Sequence, residues 1–285
     1  MKIFDCFMYF DEDLLLDLRL NVLDKYVDYF IIVESRYNHK GEKRNLRFNI
    51  DNFSNFRGKI IYLIYDDIPK GIKEIKDEED QNLKSRKLIL NAYLRENAQR
   101  NFIINGLNNA TDEDIILISD LDEIPNLEGV FFKQIKNKII LFKQSMFYYK
   151  LNLKAPGINW VGTKCCRKRD LVTPQWLRNI KDKKYPIYRF DILFSKNKYN
   201  NLRIIDNGGW HFTNIKSPKE ILLKLSSYLH HIEFDLNPLN EEQIESLINK
   251  RKAIYDLNTD KKIQKFGEGQ NLEKVDLSYL PNYIN

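Results

Sequence analysis

The sequence predicts an α/β protein with a mainly parallel, doubly wound sheet and an irregular C-terminal region. Short, wholly apolar runs such as Tyr29–Val33 and Ile115–Ile118 lack the polar alternation of a half-exposed strand, and suit strands covered on both faces. Stretches with helical spacing separate them, and a strand–helix–strand order favours parallel pairing through crossover helices. The 285 residues are 43% hydrophobic and 30% charged, enough to fill a large core and too apolar for global disorder.

Ile3–Phe10 reads as the first strand. Asp11, Glu12 and Asp13 then open a helix with acidic residues at its positive end, and Leu14, Leu15, Leu18 and Val22 recur at helical spacing. Tyr29–Val33 is the second strand, closing at Glu34 and Ser35, and Lys59–Tyr65 is the third. A long helix covers roughly Asn82 to Leu107, with Leu83, Leu90, Tyr93 and Leu94 and later Phe102 and Ile103 as its apolar positions and Gly106 marking its end. The strand Ile115–Ile118 follows and runs into Ser119-Asp120-Leu121-Asp122-Glu123-Ile124-Pro125.

Further on, Lys138–Leu151 reads as an aromatic-rich strand or hairpin, Gly157–Gly162 as a loop centred on Trp160, and Asp206–Phe212 as a second glycine-bearing loop. Ser217-Pro218-Lys219-Glu220 starts a helix with a cap, a proline at the first position and a glutamate at the third, continuing to His231. The stretch after it is charged and weakly periodic. Residues 1–235 are therefore expected to form the main domain, and 236–285 a peripheral helix and tail.

The chemistry centres on Asp120 and Asp122. They stand at the carboxyl end of a buried strand, where open α/β sheets place their ligand crevice. Two carboxylates one residue apart can share a hard cation, Mn²⁺ or Mg²⁺, which takes phosphate oxygens as further ligands. The alternative is a pair of turn residues capping the next helix. Neither Gly-x-Gly-x-x-Gly nor Gly-x-x-x-x-Gly-Lys occurs, so phosphate charge would have to be met by a metal and side chains.

His211 follows Gly208-Gly209 and is either a third ligand for such an ion or a structural histidine. Trp160 and Trp210 can stack on a sugar face or plug the core. Asp5 and Glu34 flank buried strands and can bond a base or ribose, or serve as turn residues; Arg100 can meet a diphosphate or lie in solvent. His230-His231, with Glu233 nearby, is a weak metal signal because consecutive residues do not share a helix face.

Composition narrows the partners. Lys plus Arg exceed Asp plus Glu by 46 − 40 = 6, spread along the chain, which favours a small anionic substrate over nucleic acid. Cys6, Cys165 and Cys166 have no metal-binding spacing and point to thiols in a reducing compartment. No run of about 18 apolar residues occurs, and the acidic segment from Asp11 argues against a signal peptide. A cytoplasmic protein is expected, and nothing in the pattern indicates its oligomeric state.

The segments Asp5–Phe10, Leu18–Leu20, Val27–Ser35, Gln99–Asn101, Ser119–Pro125 and Gly208–Phe212 together resemble glycosyltransferase family 17. The resemblance implies a GT-A-like fold, a UDP-sugar donor (UDP-GlcNAc in the characterised members), a glycan acceptor and inversion at the anomeric carbon. By that analogy Asp120 and Asp122 would hold the divalent ion against the diphosphate, with His211 a further ligand. Asp206 is the first choice for the base that deprotonates the acceptor, with Glu123, Asp191 and Glu233 behind it.

Two rivals remain at this stage. A sugar nucleotidyltransferase would carry a glycine-rich basic loop after the first strand, whereas the segment after Phe10 is acidic. A non-catalytic carbohydrate-binding protein would not need Asp120 and Asp122 near a diphosphate.

Overall fold

The computed structural model describes residues 1–183, 185–186, 192, 194–227, 238–254 and 269–280. Four parallel strands form one half of its sheet. They are β1 (Ile3–Tyr9), β2 (Tyr29–Ser35), β3 (Ile60–Tyr65) and β4 (Ile115–Ile118), in the order β3-β2-β1-β4. Helix α1 (Asp13–Leu23) links β1 to β2, and α2 (Gln81–Asn101) lies between β3 and β4. The chain lays down β2 and β3 on one side of β1 and then returns to place β4 on the other. The carboxyl ends of β1 and β4 therefore flank the point where the winding reverses, the usual place for a ligand crevice in such sheets.

Apolar patterning explains this half. All four β4 residues are buried, as are Phe30 to Val33 of β2, so both faces of these strands meet core. Helix α2 is different. Its Leu83, Leu90 and Tyr93 are exposed, whereas its buried residues are Asn91, Ala92, Gln99 and Arg100. The first part of the expected apolar face is thus turned to solvent, while Leu94 is half-buried and Phe102 and Ile103 pack into the core at its far end. The helix stops at Asn101, and a 3₁₀ turn over Phe102–Gly106 completes the stretch expected to be helical to Leu107.

The second half is mixed. β6 (Ile139–Tyr148) and β7 (Leu153–Arg167) form an antiparallel hairpin, and β7 pairs antiparallel with β4. The expected loop at Gly157–Gly162 is therefore the middle of a long strand. Gly162 permits close packing there: a Cβ would come within 2.1 Å of the Gln144 side chain. The expected loop at Asp206–Phe212 is also largely strand. β9 (Gly209–Thr213) runs parallel to β6 and antiparallel to β5 (Glu123–Pro125). Gly209 has φ +126°, and a Cβ on it would lie 2.1 Å from the Ile124 carbonyl oxygen. In both places glycine marks contact between strands rather than a turn.

Smaller strands complete the sheet, β8 (Leu202–Ile205) beside β6 and β10 (Glu273–Lys274) beside β7. Cys165 and Cys166 stand opposite Leu117 and Ile116 on β4, on opposite faces of the sheet, and all three cysteines are free and buried. Burial pushes the Cys166 thiol up to about 12, as packing thiols rather than reactive ones.

Helix α3 (Pro174–Asn179) follows β7. Helices α4 (Pro218–Ser227) and α5 (Glu241–Asn249) pack Ile221, Ile244 and Leu247 into one apolar cluster with Met146, Tyr148 and Leu153 of the hairpin. Residues on both sides of the expected boundary at 235 thus share a core. His230, His231, Glu233 and Asp191 lie outside the described residues. No helix among the described residues is long and apolar enough to cross a membrane.

Candidate active site

The turn after β4 is built around a buried arginine. Arg19, on the inner face of α1, donates from Nε and Nη2 to both oxygens of Asp5 at 2.7 and 2.6 Å. Its Nη1 reaches the carbonyl oxygens of Asp120, Leu121 and Glu123 at 3.1, 3.1 and 2.8 Å, and Nη2 also meets Ser119 Oγ. One guanidinium thus fixes three successive points of the Asp120–Glu123 turn to β1. The planar fork of arginine makes this possible, and a lysine could not reproduce it.

Asp120 is then fixed from two further sides. Arg100 of α2 donates to Oδ1 at 2.9 Å, and Arg178 of α3 donates to Oδ2 at 2.7 Å. Arg178 also bonds Glu123 Oε1 at 2.6 Å and the Gly162 carbonyl, while Arg100 bonds Glu96. Burial would raise the Asp120 pKa, but Arg178 and Arg100 outweigh it and hold the carboxyl far below the usual range. Glu123 is nearly fully buried. It takes Trp160 Nε1 and Arg178 on one oxygen and the Asp120 amide on the other.

Asp122 points elsewhere. The β5–β9 pairing sets Glu123 opposite His211, and the Phe212 amide donates to the Asp122 carbonyl oxygen at 2.8 Å. His211 Nε2 comes to 3.6 Å from Asp122 Oδ2. Burial would lower the imidazole pKa, yet the neighbouring Asp122 carboxylate outweighs it and raises the net value. Asp122 is correspondingly lowered: burial alone would raise it, and His211 and Lys224 more than offset that. His211 Nδ1 is buried with no hydrogen-bond partner among the described residues, and the ring lies against Trp160 with centroids 5.4 Å apart.

Asp120 and Asp122 both line an open cleft beside the β1–α1 turn. The β1–α1 turn contributes Asp11 and Glu12 to its wall, β2 and the following loop Ser35 and Asn38, and α4 Leu223 and Lys224. Its place at the reversal of the sheet suits a small-molecule site. Among the described residues no three Asp, Glu, His or Cys side chains converge as a ready metal site. Of the expected trio, Asp122 and His211 approach each other, and Asp120 is held by arginines.

Other expected site residues fall outside the cleft. Asp5 is fully buried against Arg19. Glu34 is fully buried and accepts from the Arg47 and Phe48 amides and the Tyr62 hydroxyl, so it fastens the 44–48 segment to β2. Trp210 sits in the main apolar core. Asp206 is 76% exposed, 3.5 Å from Lys143, and lines a separate hollow with Lys143 and Arg203.

These features sit within a stretch with known relatives. The sequence profile of glycosyltransferase family 17 matches residues 1–162, which include β1 through most of β7 and the Asp120–Glu123 turn. The chain belongs to glycosyltransferase family 17. It is 28% identical over 158 residues to the β-1,4-mannosyl-glycoprotein 4-β-N-acetylglucosaminyltransferases of Homo sapiens, Rattus norvegicus and Mus musculus. The alignment takes in 53% of this chain and 27% of each relative, so the chain spans well under half their length.

Two residues that hold this turn, Arg19 and Arg178, escaped the sequence reading for different reasons. Arg19 lies in the Leu18-Arg19-Leu20 segment already noted, where an arginine between two leucines of an amphipathic helix is the signal of a buried charge. Arg178 lies beyond the matched region, and its only local signal is the Thr173-Pro174 helix start, where the Thr173 hydroxyl accepts from the Trp176 amide.

Proposed function

We propose that this chain is a metal-assisted glycosyltransferase of GT-A-like architecture that transfers GlcNAc from UDP-GlcNAc, with inversion, to a hydroxyl of a glycan. The observation that supports this most is the Asp122–His211 approach at the edge of a cleft formed where β1 and β4 end. A carboxylate oxygen and an imidazole nitrogen together suit a Mn²⁺-type ion, and Nε2 is the His211 nitrogen that faces Asp122. Asp122 and His211 would hold that ion. Bound there, a divalent cation neutralises the departing diphosphate.

The chain's own residues do the rest. Arg19, Arg100 and Arg178 hold the turn and Asp120, so that Asp122 is presented at a fixed height over the cleft floor. Inversion also needs a base for the acceptor proton. Glu123 has both oxygens committed, and Asp206 lines a hollow separate from the cleft, beside Lys143. Relatives named for transfer of N-acetylglucosamine to mannosyl-glycoprotein support the choice of donor sugar.

The test is a panel of nucleotide sugars incubated with the protein and Mn²⁺, with and without EDTA, reading released UDP. EDTA-sensitive release from UDP-GlcNAc above the other donors is the expected result. Release from no donor, together with no binding of UDP, would leave a carbohydrate-binding role instead.

A further inference from the structure

Of the two tryptophans able to stack on a sugar, Trp210 belongs to the core, whereas Trp160 is 39% exposed. Trp160 is nonetheless held fast. Its Nε1 donates to Glu123 Oε1 at 2.5 Å, and Glu123 is itself buried and gripped by Arg178 and the Asp120 amide. Gly162, two residues along β7, leaves room for that carboxylate: a Cβ there would come within 2.7 Å of Glu123 Cδ. On another side the indole lies against the His211 ring, with centroids 5.4 Å apart. The polar edge of Trp160 is therefore satisfied and its orientation set from two sides, while a large part of its apolar surface stays open.

Single exposed apolar residues are ordinary on a protein surface. Trp160 is set apart by its anchoring and by its place. Contacts run from the cleft through Asp122 to His211 and on to Trp160, and neither His211 nor Trp160 is part of the cleft wall. A nucleotide sugar with its diphosphate at Asp122 would fill the cleft. Inversion forms the new bond opposite the leaving diphosphate, so the acceptor must approach from outside the volume that the diphosphate occupies. Trp160, one ring contact from the proposed metal ligand and outside the cleft, is an aromatic surface placed to receive it. Pyranose rings carry C–H groups on a face and hydroxyls around the edge, and the electron-rich face of an indole complements the former.

We propose that Trp160 is an acceptor-binding residue, a platform for the C–H face of a pyranose in the glycan acceptor. The bond to Glu123 holds the indole in one orientation before the sugar arrives, so little side-chain freedom is lost on binding. The same contacts couple the platform to the turn that carries Asp122, which keeps acceptor and donor sites in register. This role rests on the transferase reading above, and it gives the acceptor a place on β7, beside the donor cleft.

Saccharide binding followed by NMR tests it, with β-1,4-mannotriose and cellotriose as probes and UDP and Mn²⁺ present. The chain has three tryptophans, so the indole N–H signal lost in Trp160→Phe is that of Trp160. In the wild type at least one probe is expected to shift this signal saturably and to leave those of Trp176 and Trp210 in place. Saturation transfer to the saccharide should show binding within about threefold of wild type for Trp160→Phe, which keeps an aromatic face and loses the bond to Glu123. Trp160→Leu should weaken it about tenfold. Equal losses in the two variants would mean that Trp160 acts only by supporting Glu123, and would overturn the proposal. So would a Trp160 signal that neither probe moves in a protein that binds UDP. A wild-type protein that neither binds UDP nor releases it from a nucleotide sugar would instead sink the transferase reading, and the acceptor role with it.

Discussion

At the scale of single residues, the site depends on arginines more than on the carboxylates that announce it. Asp120 and Asp122 stand out in the sequence because an apolar run delivers them to a strand end. Their different fates are not legible there, because they depend on α2 and α3, which approach from residues 96–100 and 175–178. Arg19 offers the sharpest test. Arg19→Met leaves Asp5 buried without its partner and three carbonyl oxygens without a donor, and should cost about 3–5 kcal/mol in urea unfolding. The double variant Asp5→Leu, Arg19→Met should recover only part of that loss, since the carbonyls of the turn still lack a donor. Full recovery would mean that the ion pair with Asp5, and not the turn, is what Arg19 supports.

At the scale of elements, the strands and the glycines teach opposite lessons. β1, β2 and β4 could be read because a strand buried on both faces has no competing pattern. Gly162 and Gly209 misled, because a glycine required for close approach between strands looks, in sequence, like one that opens a turn. The α3–β7 contact yields a prediction of its own. Lys164 of β7 is buried and donates from Nζ to the Arg178 and Ile180 carbonyl oxygens, both at 2.6 Å. Burial, reinforced by Arg178, lowers its pKa to about 8 from 10.5. Between those two values the unfolded chain still holds a proton that the folded protein has released. Stability should therefore rise with pH across that window, by up to ~3 kcal/mol from this group. Lys164→Met should remove this rise, measured as the difference between the two proteins in urea unfolding from pH 7.5 to 10.5. An identical pH dependence in both would show that Lys164 is not desolvated in solution.

At the scale of the molecule, the parallel half carries the family relationship, and the hairpin with α3, β9 and α4 completes the site. The family-matched stretch alone supplies Asp120, Asp122, Glu123, Arg19 and Arg100, whereas Arg178, His211 and Lys224 come from beyond residue 162. The doubly wound order was legible from the alternation of strand and helix. The long-range pairing of β9 with both β5 and β6 was not, because no local pattern records which distant strand a short segment will join. That pairing brings His211 to Asp122 and gives the proposed metal site its second ligand. The most direct measurement is the Mn²⁺ dependence of UDP release from UDP-GlcNAc by the wild-type protein and by Asp122→Asn. The account predicts release by the wild type that rises with Mn²⁺, and a loss of about a hundredfold or more in the variant that added Mn²⁺ does not restore. Release by Asp122→Asn with an unchanged Mn²⁺ response would contradict it.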